Sequence, residues 1–291
     1  IHLASLLLSV NALASFCPVN YPKSAPEGSE TLKVMSYNVY NLNDTENLYP
    51  DGNSRTLTQI IHSGVDIVVL QELYDMSIYG QYASQIDSIK LIYPYSMFYG
   101  DPSCAFLSKY PLSKIELGQP GEAWAGWLAA ETVVGGDTIL LISAHLQSLG
   151  LSDTDKVNYQ MFTEGDRVAG WKGKAMTLYE KLDTAFIRRA LQADRLACQI
   201  DSLGYENVIL SGDFNDVEAC YALRRLRRGR MHSAFDKAVC GPIITYNSDR
   251  FYFHIDHILY EGNLRALDFR RGDIRSSDHY PVYCTFEMLK R

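Results

Sequence analysis

The sequence predicts a layered fold of the α/β or α+β class, in which helices pack on β-sheets. Short apolar runs rich in β-branched residues recur along the chain, and each ends abruptly in a polar cluster. Helical periodicity separates some of these runs, most clearly over residues 174–203, where apolar side chains recur at three- and four-residue steps. Brevity and β-branching favour strands for the runs, so the chain alternates between the two kinds of element.

Four strands are predicted, each followed by side chains that can take part in chemistry. They are 32–37 before Asn38, 66–70 before Gln71-Glu72, 138–143 before His145, and 207–210 before Asp213 and Asn215. Weaker helix candidates lie near 55–63 and 217–228. In layered α/β folds the ligand site gathers beyond the ends of central strands, so we expect these polar clusters to meet.

Two further clusters lie near the end of the chain. Residues 253–259 alternate like a strand, which predicts that His254 and Asp256 share one face and that His257 lies on the other, facing the interior or the flank of the sheet. Asp278 and His279 precede the last apolar run. A carboxylate near a histidine orients the imidazole and favours its charged form, so both clusters are candidates for proton chemistry.

Composition limits how the chain can meet a charged partner. Its 291 residues carry a formal net charge of -7, and an acidic protein binds polyanions poorly without local help. The only dense basic run is 224–230, which holds five arginines. This run is either a grip for substrate phosphates or a solvated helix face balanced by nearby acids such as Glu218, and both interpretations stay open.

The amino terminus is typical of an export signal. Residues 1–16 are apolar, too short to span a bilayer, and contain small residues at 12–14 with signal-peptidase spacing. A buried helix is the alternative. We expect a linker at 17–30, one catalytic domain at 31–291, and a secreted or periplasmic monomer, with a lipid anchor on Cys17 as a variant of this hypothesis.

The candidate ligands predict metal-assisted hydrolysis. They are mainly hard oxygens, which suit Mg²⁺, Mn²⁺ or Ca²⁺, and they comprise Asn38, Glu72, Asp213, Asn215, Asp256 and Asp278. The sequence contains no H-E-x-x-H, C-x-x-C, G-x-S-x-G, Walker A or G-x-G-x-x-G motif. Zinc-hydrolase, thioredoxin-like, serine-hydrolase, nucleotide-fuelled and dinucleotide chemistry are therefore disfavoured.

Six motifs follow one another in a specific order, each at a predicted strand end. They are Asn38, Gln71-Glu72, His145-Leu146-Gln147, Gly212-Asp213-Phe214-Asn215, the run 255–259 and the run 277–282. This order resembles the endonuclease/exonuclease/phosphatase superfamily, which includes deoxyribonuclease-like nucleases, abasic-site endonucleases, sphingomyelinases and inositol polyphosphate 5-phosphatases. Residues 105–112 also resemble the family's strand before its variable loop.

The resemblance implies a four-layer α/β/β/α sandwich with two facing mixed sheets and an active site at one end. It also implies a cofactor of one or two Mg²⁺ or Mn²⁺ ions. In that arrangement Glu72 holds the essential metal, Asn38 lies beside it, and Asp278 is a further metal ligand.

The same resemblance assigns roles in catalysis. Asp213 would align and activate the attacking water, and Asn215 would help place that water or the phosphate. His145 and His279 would contact the phosphoryl oxygens, one of them would serve as acid for the leaving group, and Asp256 would orient His279. These residues predict hydrolysis of a phosphate ester by direct attack of water.

The substrate class stays open at this stage. Where the 5-phosphatases carry Cys-Asp-Arg, this chain has Ile255-Asp256-His257, which favours a phosphodiester, with nucleic acid as the leading substrate. A sphingomyelinase-type phospholipid phosphodiesterase is an alternative, for which residues 121–128 offer two tryptophans as a membrane hairpin, although the same segment is equally consistent with a core strand. A small-molecule phosphatase is a third enzyme hypothesis, and a binding module that kept the fold and lost catalysis is the alternative from another class.

Overall fold

The computed structural model describes residues 16–43, 48–100, 104–121, 125–164, 171–248, 251–273 and 275–290. The strands are β1 (Thr31–Asn38), β2 (Ile67–Gln71), β3 (Tyr95–Tyr99), β4 (Cys104–Ser108), β5 (Ser113–Ile115), β6 (Gly126–Val134), β7 (Asp137–His145), β8 (Asn207–Asp213), β9 (His232–Ser233), β10 (Tyr246–Ser248), β11 (Phe251–Phe253), β12 (Asp256–Glu261), β13 (Leu264–Arg271) and β14 (Val282–Met288). The helices are α1 (Arg55–His62), α2 (Ala83–Ile92), α3 (Asp153–Glu164), α4 (Trp171–Leu203), α5 (Tyr221–Arg227) and α6 (Ala234–Ala238).

Two six-stranded sheets form the centre of the molecule. The first has the order β13-β14-β1-β2-β4-β3 and the second the order β5-β6-β7-β8-β12-β9. Each sheet is mixed, because β1 and β2 are parallel in the first, β7 and β8 are parallel in the second, and the remaining pairs are antiparallel. A separate two-stranded hairpin joins β10 to β11.

Three apolar cores explain how the layers stack. The central core takes residues from both sheets, such as Val69 and Phe106 from the first and Leu141 from the second, so the sheets face each other. A second core packs the outer face of the first sheet on α1 and α2, and a third packs the outer face of the second sheet on α4 and α5. The expected four-layer α/β/β/α sandwich is therefore confirmed.

The alternation of strand side chains directs each face to its own core. In β1, Val34 enters the central core, whereas Met35 and Tyr37 enter the outer core against the helices.

Helix α1 is capped at its amino-terminal end by Ser54, whose side-chain oxygen accepts a hydrogen bond of 3.2 Å from the Leu57 backbone N–H. This cap satisfies a backbone donor that the first turn of a helix leaves unpaired.

Two predicted elements are shorter in the structure. The helix expected at 217–228 covers only Tyr221–Arg227, and β12 begins at Asp256 rather than at 253. The Thr245 hydroxyl accepts hydrogen bonds from the backbone N–H groups of Ile255 and Asp256, which ends the strand pairing there. The prediction that His254 shares a face with Asp256 is therefore wrong, and the His254 ring stacks on His257 instead, at 4.7 Å between centroids.

The amino-terminal predictions fall largely outside the described residues, because 1–15 are not among them. The segment predicted as a linker lies along the domain, with backbone hydrogen bonds from Asn20 to Val239 (2.8 Å) and from Lys23 to Leu267 (2.7 Å). The domain boundary at residue 31 stays a prediction. None of the six cysteines forms a disulfide bond, and no helix in the described part of the chain has the length and apolarity to span a membrane.

Candidate active site

The parallel strands of the two sheets end at the same edge of the sandwich. Asn38 stands opposite Gln71 where β1 and β2 end, and His145 stands opposite Asp213 where β7 and β8 end. Asp256, the first residue of β12, also pairs with Asp213. Strand register therefore brings together most of the residues that the sequence singles out.

An asparagine joins two carboxylates from opposite sheets. The Asn38 Nδ2 atom donates to Glu72 Oε1 (2.9 Å) and to Asp213 Oδ2 (3.0 Å), while Asn38 Oδ1 accepts from the Tyr40 backbone N–H (3.1 Å). The sequence predicts Asn38 as a metal ligand. In this arrangement the Asn38 nitrogen positions the two carboxylates and its oxygen accepts from Tyr40, while metal binding by Asn38 stays a prediction.

Backbone conformation projects two of the side chains into the site. Glu72 and Asn215 have φ values of 53° and 51°, a left-handed conformation that costs a non-glycine residue on the order of 1–3 kcal/mol. Asn215 is held by its own hydrogen bonds, from its N–H to Asp213 Oδ1 (2.8 Å) and from its Nδ2 to the Leu146 carbonyl (2.9 Å). The strain therefore sits where a strand end must turn its side chain towards the cleft.

Gly212 permits the close approach of β7 and β8 directly beneath the site. A Cβ atom at this position would lie 1.9 Å from the Ala144 carbonyl oxygen. Any side chain here would push the two strands apart. The glycine therefore keeps Asp213 close to His145, whose Nε2 atom is 3.6 Å from Asp213 Oδ2 and 3.7 Å from Glu72 Oε1.

A histidine and a buried carboxylate form the other half of the site. The Nδ1 atom of His279 is 2.8 Å from Asp256 Oδ2, and its Nε2 atom is 3.4 Å from Asp213 Oδ2. Although burial lowers the pKa of His279, Asp256 and Asp213 outweigh that effect and hold the pKa well above its ordinary value. The ring is therefore an imidazolium at neutral pH, oriented by Asp256 and turned towards Asp213.

Asp278 completes a concentration of negative charge. It is partly exposed and lines the cleft with Glu72 and Asp213. Burial raises the pKa of Asp278, and the neighbouring charges of Glu72 and Asp213 raise it further, although His279 opposes them. Three carboxylates facing one cleft repel one another, and a cation among them relieves that repulsion.

This donor set fits a hard divalent cation. Glu72 and Asp278 offer oxygen atoms at the cleft, and oxygen ligands are those preferred by Mg²⁺ and Mn²⁺. Asp213, Asp256 and His279 also lie close enough to share an ion. Since both nitrogens of His279 already face carboxylates, we interpret those three residues as a hydrogen-bonded relay and assign metal binding to Glu72 and Asp278.

The cleft that contains these groups has a volume of about 350 Å³. Beside the charged residues it has an apolar and aromatic wall, formed by Leu149, Leu151, Tyr246, Phe251, Phe253 and Ile255. Tyr246 contacts His279 edge to face at 4.9 Å, and Tyr159 of α3 stacks on Phe251 at 4.9 Å. Lys156, also from α3, adds a positive charge to the lining.

Sequence reasoning missed this wall. The available signal was the run of three aromatic residues at 251–253, which follows Tyr246 after four polar residues, a pattern typical of a hairpin. Two other candidates lie away from the cleft. His257 is buried in the interior, as predicted, and Trp127 of the suggested membrane hairpin is fully buried in the core, while Trp124 lies outside the described residues.

The arginine-rich run is engaged in ion pairs of the protein itself. Its bonds are Arg225–Asp194 (2.7 Å), Arg227–Asp236 (2.9 Å), Arg227–Glu218, Arg228–Glu261 (2.6 Å) and Arg230–Asp201 (3.0 Å). Among the described residues that line the cleft, none comes from this run. The geometry favours the interpretation of 224–230 as a helix face balanced by acids, and not as a phosphate grip.

Comparison with known proteins agrees with this architecture. Residues 35–279 match the sequence profile of the Endonuclease/Exonuclease/phosphatase family. No curated protein matches the chain at a significant level. Among solved structures, truncated Caenorhabditis elegans TDP2 has 17% identity and a TM-score of 0.58, and the alignment covers 88% of this chain and 98% of that one.

Two further structures share the fold. ANGEL2, described as a 2',3'-cyclic phosphatase and solved with adenosine-2',3'-vanadate, has 15% identity and a TM-score of 0.59, covering 91% of this chain and 97% of that one. A Bacteroides thetaiotaomicron protein of the endonuclease/exonuclease/phosphatase family has 18% identity and a TM-score of 0.56, covering 89% and 98%. At such low identity these likenesses establish the fold alone.

Proposed function

Because the chain belongs to the Endonuclease/Exonuclease/phosphatase family, a group of phosphate-ester hydrolases, we propose that it is a divalent-metal-dependent phosphodiesterase acting on nucleic acid. The observation that carries this proposal is the Asn38 amide, which ties Glu72 to Asp213 across the two sheets. It sets a carboxylate suited to a metal beside a carboxylate suited to activating water. The imidazoles of His145 and His279 lie next to the same pair.

Glu72 and Asp278 are the residues that would hold Mg²⁺ or Mn²⁺. When bound, the ion would neutralise phosphoryl oxygens and assist expulsion of the ester oxygen. Asn38 contributes by fixing the Glu72 carboxylate through its 2.9 Å hydrogen bond.

Asp213 is the residue suited to receive the proton of the attacking water. Its Oδ1 atom accepts from the Asn215 N–H (2.8 Å) and its Oδ2 atom from Asn38 (3.0 Å), so the carboxylate is fixed in orientation. As the water oxygen bonds to phosphorus, its proton passes to Asp213 and the P–O ester bond breaks. The leaving oxygen takes a proton from the imidazolium of His279, which the proton held on Asp213 then restores.

His279 and His145 are suited to stabilise the charge that develops on phosphorus. The imidazolium of His279 has a donor at Nε2, and Asp256 holds the ring through Nδ1 at 2.8 Å. Preorganised donors of this kind stabilise a transition state because they need no reorientation as charge appears. Asp256 therefore acts through His279 and is a positioning residue.

The wall of the cleft supports nucleic acid as the substrate. Phe253, which is exposed, offers a ring face on which a base can stack, and stacking platforms are a usual means of holding unpaired nucleotides. Lys156 carries the charge to meet a neighbouring phosphate. The burial of Trp127 removes one of the two tryptophans on which the phospholipid alternative depends.

A substrate panel tests the proposal. The purified protein is assayed on single-stranded DNA, RNA, sphingomyelin, a chromogenic phosphodiester and a chromogenic phosphomonoester, each with Mg²⁺ and with excess chelator. We expect Mg²⁺-dependent cleavage of nucleic acid and of the chromogenic diester, with the Asp213→Asn variant as the inactive control. Preferred cleavage of sphingomyelin or of the monoester would favour an alternative enzyme class, and no turnover of any substrate would favour a binding module.

We also propose that the chain is exported, on the strength of the apolar segment 1–16 and its small residues at 12–14. Amino-terminal sequencing of the protein from its native host tests this. A mature terminus near residue 16 supports secretion or periplasmic location, and a lipid-modified Cys17 supports anchoring. An unprocessed amino terminus on cytoplasmic protein would refute export.

A further inference from the structure

A second cluster of ionisable side chains lies outside the cleft. Glu218 belongs to the turn after β8, His254 precedes β12, and His257 lies within it. All three are buried, and one donor atom from each lies within 4.8 Å of the other two. The mechanism above makes no use of them.

The hydrogen bonds of the two rings leave their Nδ1 atoms available for a metal. His257 Nε2 is 2.8 Å from the Asp216 carbonyl oxygen, and His254 Nε2 is 3.1 Å from the Asp256 carbonyl oxygen. Since a carbonyl oxygen only accepts, each Nε2 carries a proton and each Nδ1 of a neutral ring has a free lone pair. Histidines that bind metals characteristically donate the other ring N–H to such a partner.

The spacing of the donors also suits an ion. His257 Nδ1 is 3.3 Å from Glu218 Oε1, and this buried nitrogen has no hydrogen-bond partner among the described residues. Although burial lowers the pKa of His257, Glu218 outweighs that effect and raises it, so an ion bound here would replace the Nδ1 proton that faces the carboxylate. Two ligand atoms that are each about 2.0–2.1 Å from a tetrahedral zinc lie about 3.3–3.4 Å apart, which agrees with the observed distance.

The carboxylate of the cluster carries its charge, although its Oε2 atom already pairs with Arg227 and its Oε1 atom accepts from the Ser233 hydroxyl at 3.1 Å. Burial raises the pKa of Glu218, but His257 and Arg227 outweigh it and lower the pKa to about 2, so this carboxylate is ionised. Burial lowers the pKa of His254 to about 3, which keeps its ring neutral and able to ligate. Phe235 packs edge to face on His254 at 4.2 Å and contributes an apolar surrounding.

We propose that Glu218, His254 and His257 bind a structural transition-metal ion, with zinc as the best match for two imidazoles and a carboxylate. The ion would join the turn that follows β8 to the start of β12. That turn comes directly after Asp213 and Asn215, and β12 begins at Asp256. The metal would therefore keep the two halves of the active site in register without contacting the substrate.

The proposal is tested by measuring the zinc bound per chain in the Asp213→Asn protein, in which the catalytic cluster is disabled. Chelator-stripped Asp213→Asn protein is titrated with Zn²⁺ in a large excess of Mg²⁺, and tightly bound zinc is measured after dialysis. We expect about one equivalent per chain in Asp213→Asn and in the control Asp213→Asn/His232→Gln, and none in Asp213→Asn/His254→Phe. His232 is a suitable control because it is an exposed histidine on the neighbouring β9.

Two additional measurements guard against a variant that fails to fold. Glu218→Gln, which keeps the side-chain size, is expected to abolish the same equivalent in the Asp213→Asn background. Co²⁺ added to the Asp213→Asn protein should give the visible absorption of a tetrahedral site with nitrogen ligands. The proposal is overturned if Asp213→Asn binds no zinc and gives no such spectrum, or if folded Asp213→Asn/His254→Phe retains the full equivalent.

Discussion

Asp256 and His279 come from different sheets and meet through a 2.8 Å hydrogen bond at the edge of the sandwich. The carboxylate is fully buried, and the ring that it holds points its other nitrogen at Asp213. The geometry of this pair therefore depends on correct packing of the two sheets, and the pair in turn sets the position of the His279 ring beside Asp213.

If Asp256 acts through His279, the two residues form one functional unit. We expect His279→Gln to lower kcat by on the order of 10²-fold or more, and Asp256→Asn to lower it somewhat less. Their effects should be strongly non-additive in the double variant, because the second change removes what the first has already disabled. Strict additivity of the two losses in kcat would contradict the pairing.

Metal binding should depend on Glu72 more than on Asn38. We expect Glu72→Gln to lower activity by orders of magnitude and to raise the Mg²⁺ concentration needed for half-maximal activity. Asp278→Asn should raise that concentration as well, since it removes a carboxylate from the cleft. Asn38→Asp is the matched control. It keeps the size of the side chain but replaces the donor that faces Glu72 with a negative charge. We expect it to lower kcat without abolishing metal binding. Activity of the wild type in excess chelator would refute metal dependence.

The wall of the cleft predicts separate effects on natural and artificial substrates. Phe253→Ala and Lys156→Gln should raise KM for single-stranded nucleic acid several-fold, because they remove a stacking surface and a positive charge. Neither change should alter kcat for a small chromogenic diester. Arg224→Gln with Arg225→Gln is the matched control, and it should leave KM and its salt dependence unchanged. A raised KM in the double arginine variant, with an unchanged KM in Phe253→Ala and Lys156→Gln, would instead show that the arginine run binds the substrate.

Helix α3, which carries Lys156 and Tyr159, depends on a cap that titrates. Asp155 Oδ2 accepts from the backbone N–H of Ser152 at 2.8 Å and from Lys181 at 2.5 Å, and the Asp155 N–H is 3.3 Å from the Ser152 hydroxyl. The hydrogen bond from Lys181, followed by that from the Ser152 hydroxyl, lowers the pKa of Asp155 to about 2.

A lowered carboxylate pKa gives stability that is present above the ordinary value of 3.8 and is lost as the pH falls through about 2. We expect Asp155→Ala to reduce the free energy of unfolding by about 1 kcal/mol near neutral pH, the usual scale of a lost cap. The difference from wild type should shrink below pH 3.8. Asp87→Ala, which removes an exposed carboxylate, serves as control and should change stability little at either pH.

Much of this arrangement was predictable because the informative residues sit at the ends of strands. A strand places its last residues at a known edge of the sheet, so Asn38, His145 and Asp213 could be placed together from sequence alone. The fold followed from the order of the motifs, since apolar periodicity by itself indicates only mixed helices and strands. Long-range pairing between sheets, such as that of Asp256 with His279, required the resemblance to a family.

Other features depend on contacts that no local pattern encodes. Thr245 ends the strand pairing before Asp256 through two side-chain hydrogen bonds, and this turns His254 away from the face that alternation predicts. The arginines of 224–230 find acids that are distant in sequence, such as Asp194 and Glu261. Both outcomes follow from tertiary packing, which outweighs local preference.

The central claim is that water, positioned by Asp213, attacks phosphorus in a metal-dependent reaction. Its most direct test is hydrolysis of a chromogenic phosphodiester in ¹⁸O-labelled water, with mass analysis of the phosphate product. We predict that the label enters the phosphate monoester, that chelator stops turnover and Mg²⁺ restores it, and that Asp213→Asn lowers kcat by at least about 10²-fold. Label found in the released alcohol, or undiminished turnover by Asp213→Asn, would contradict the claim.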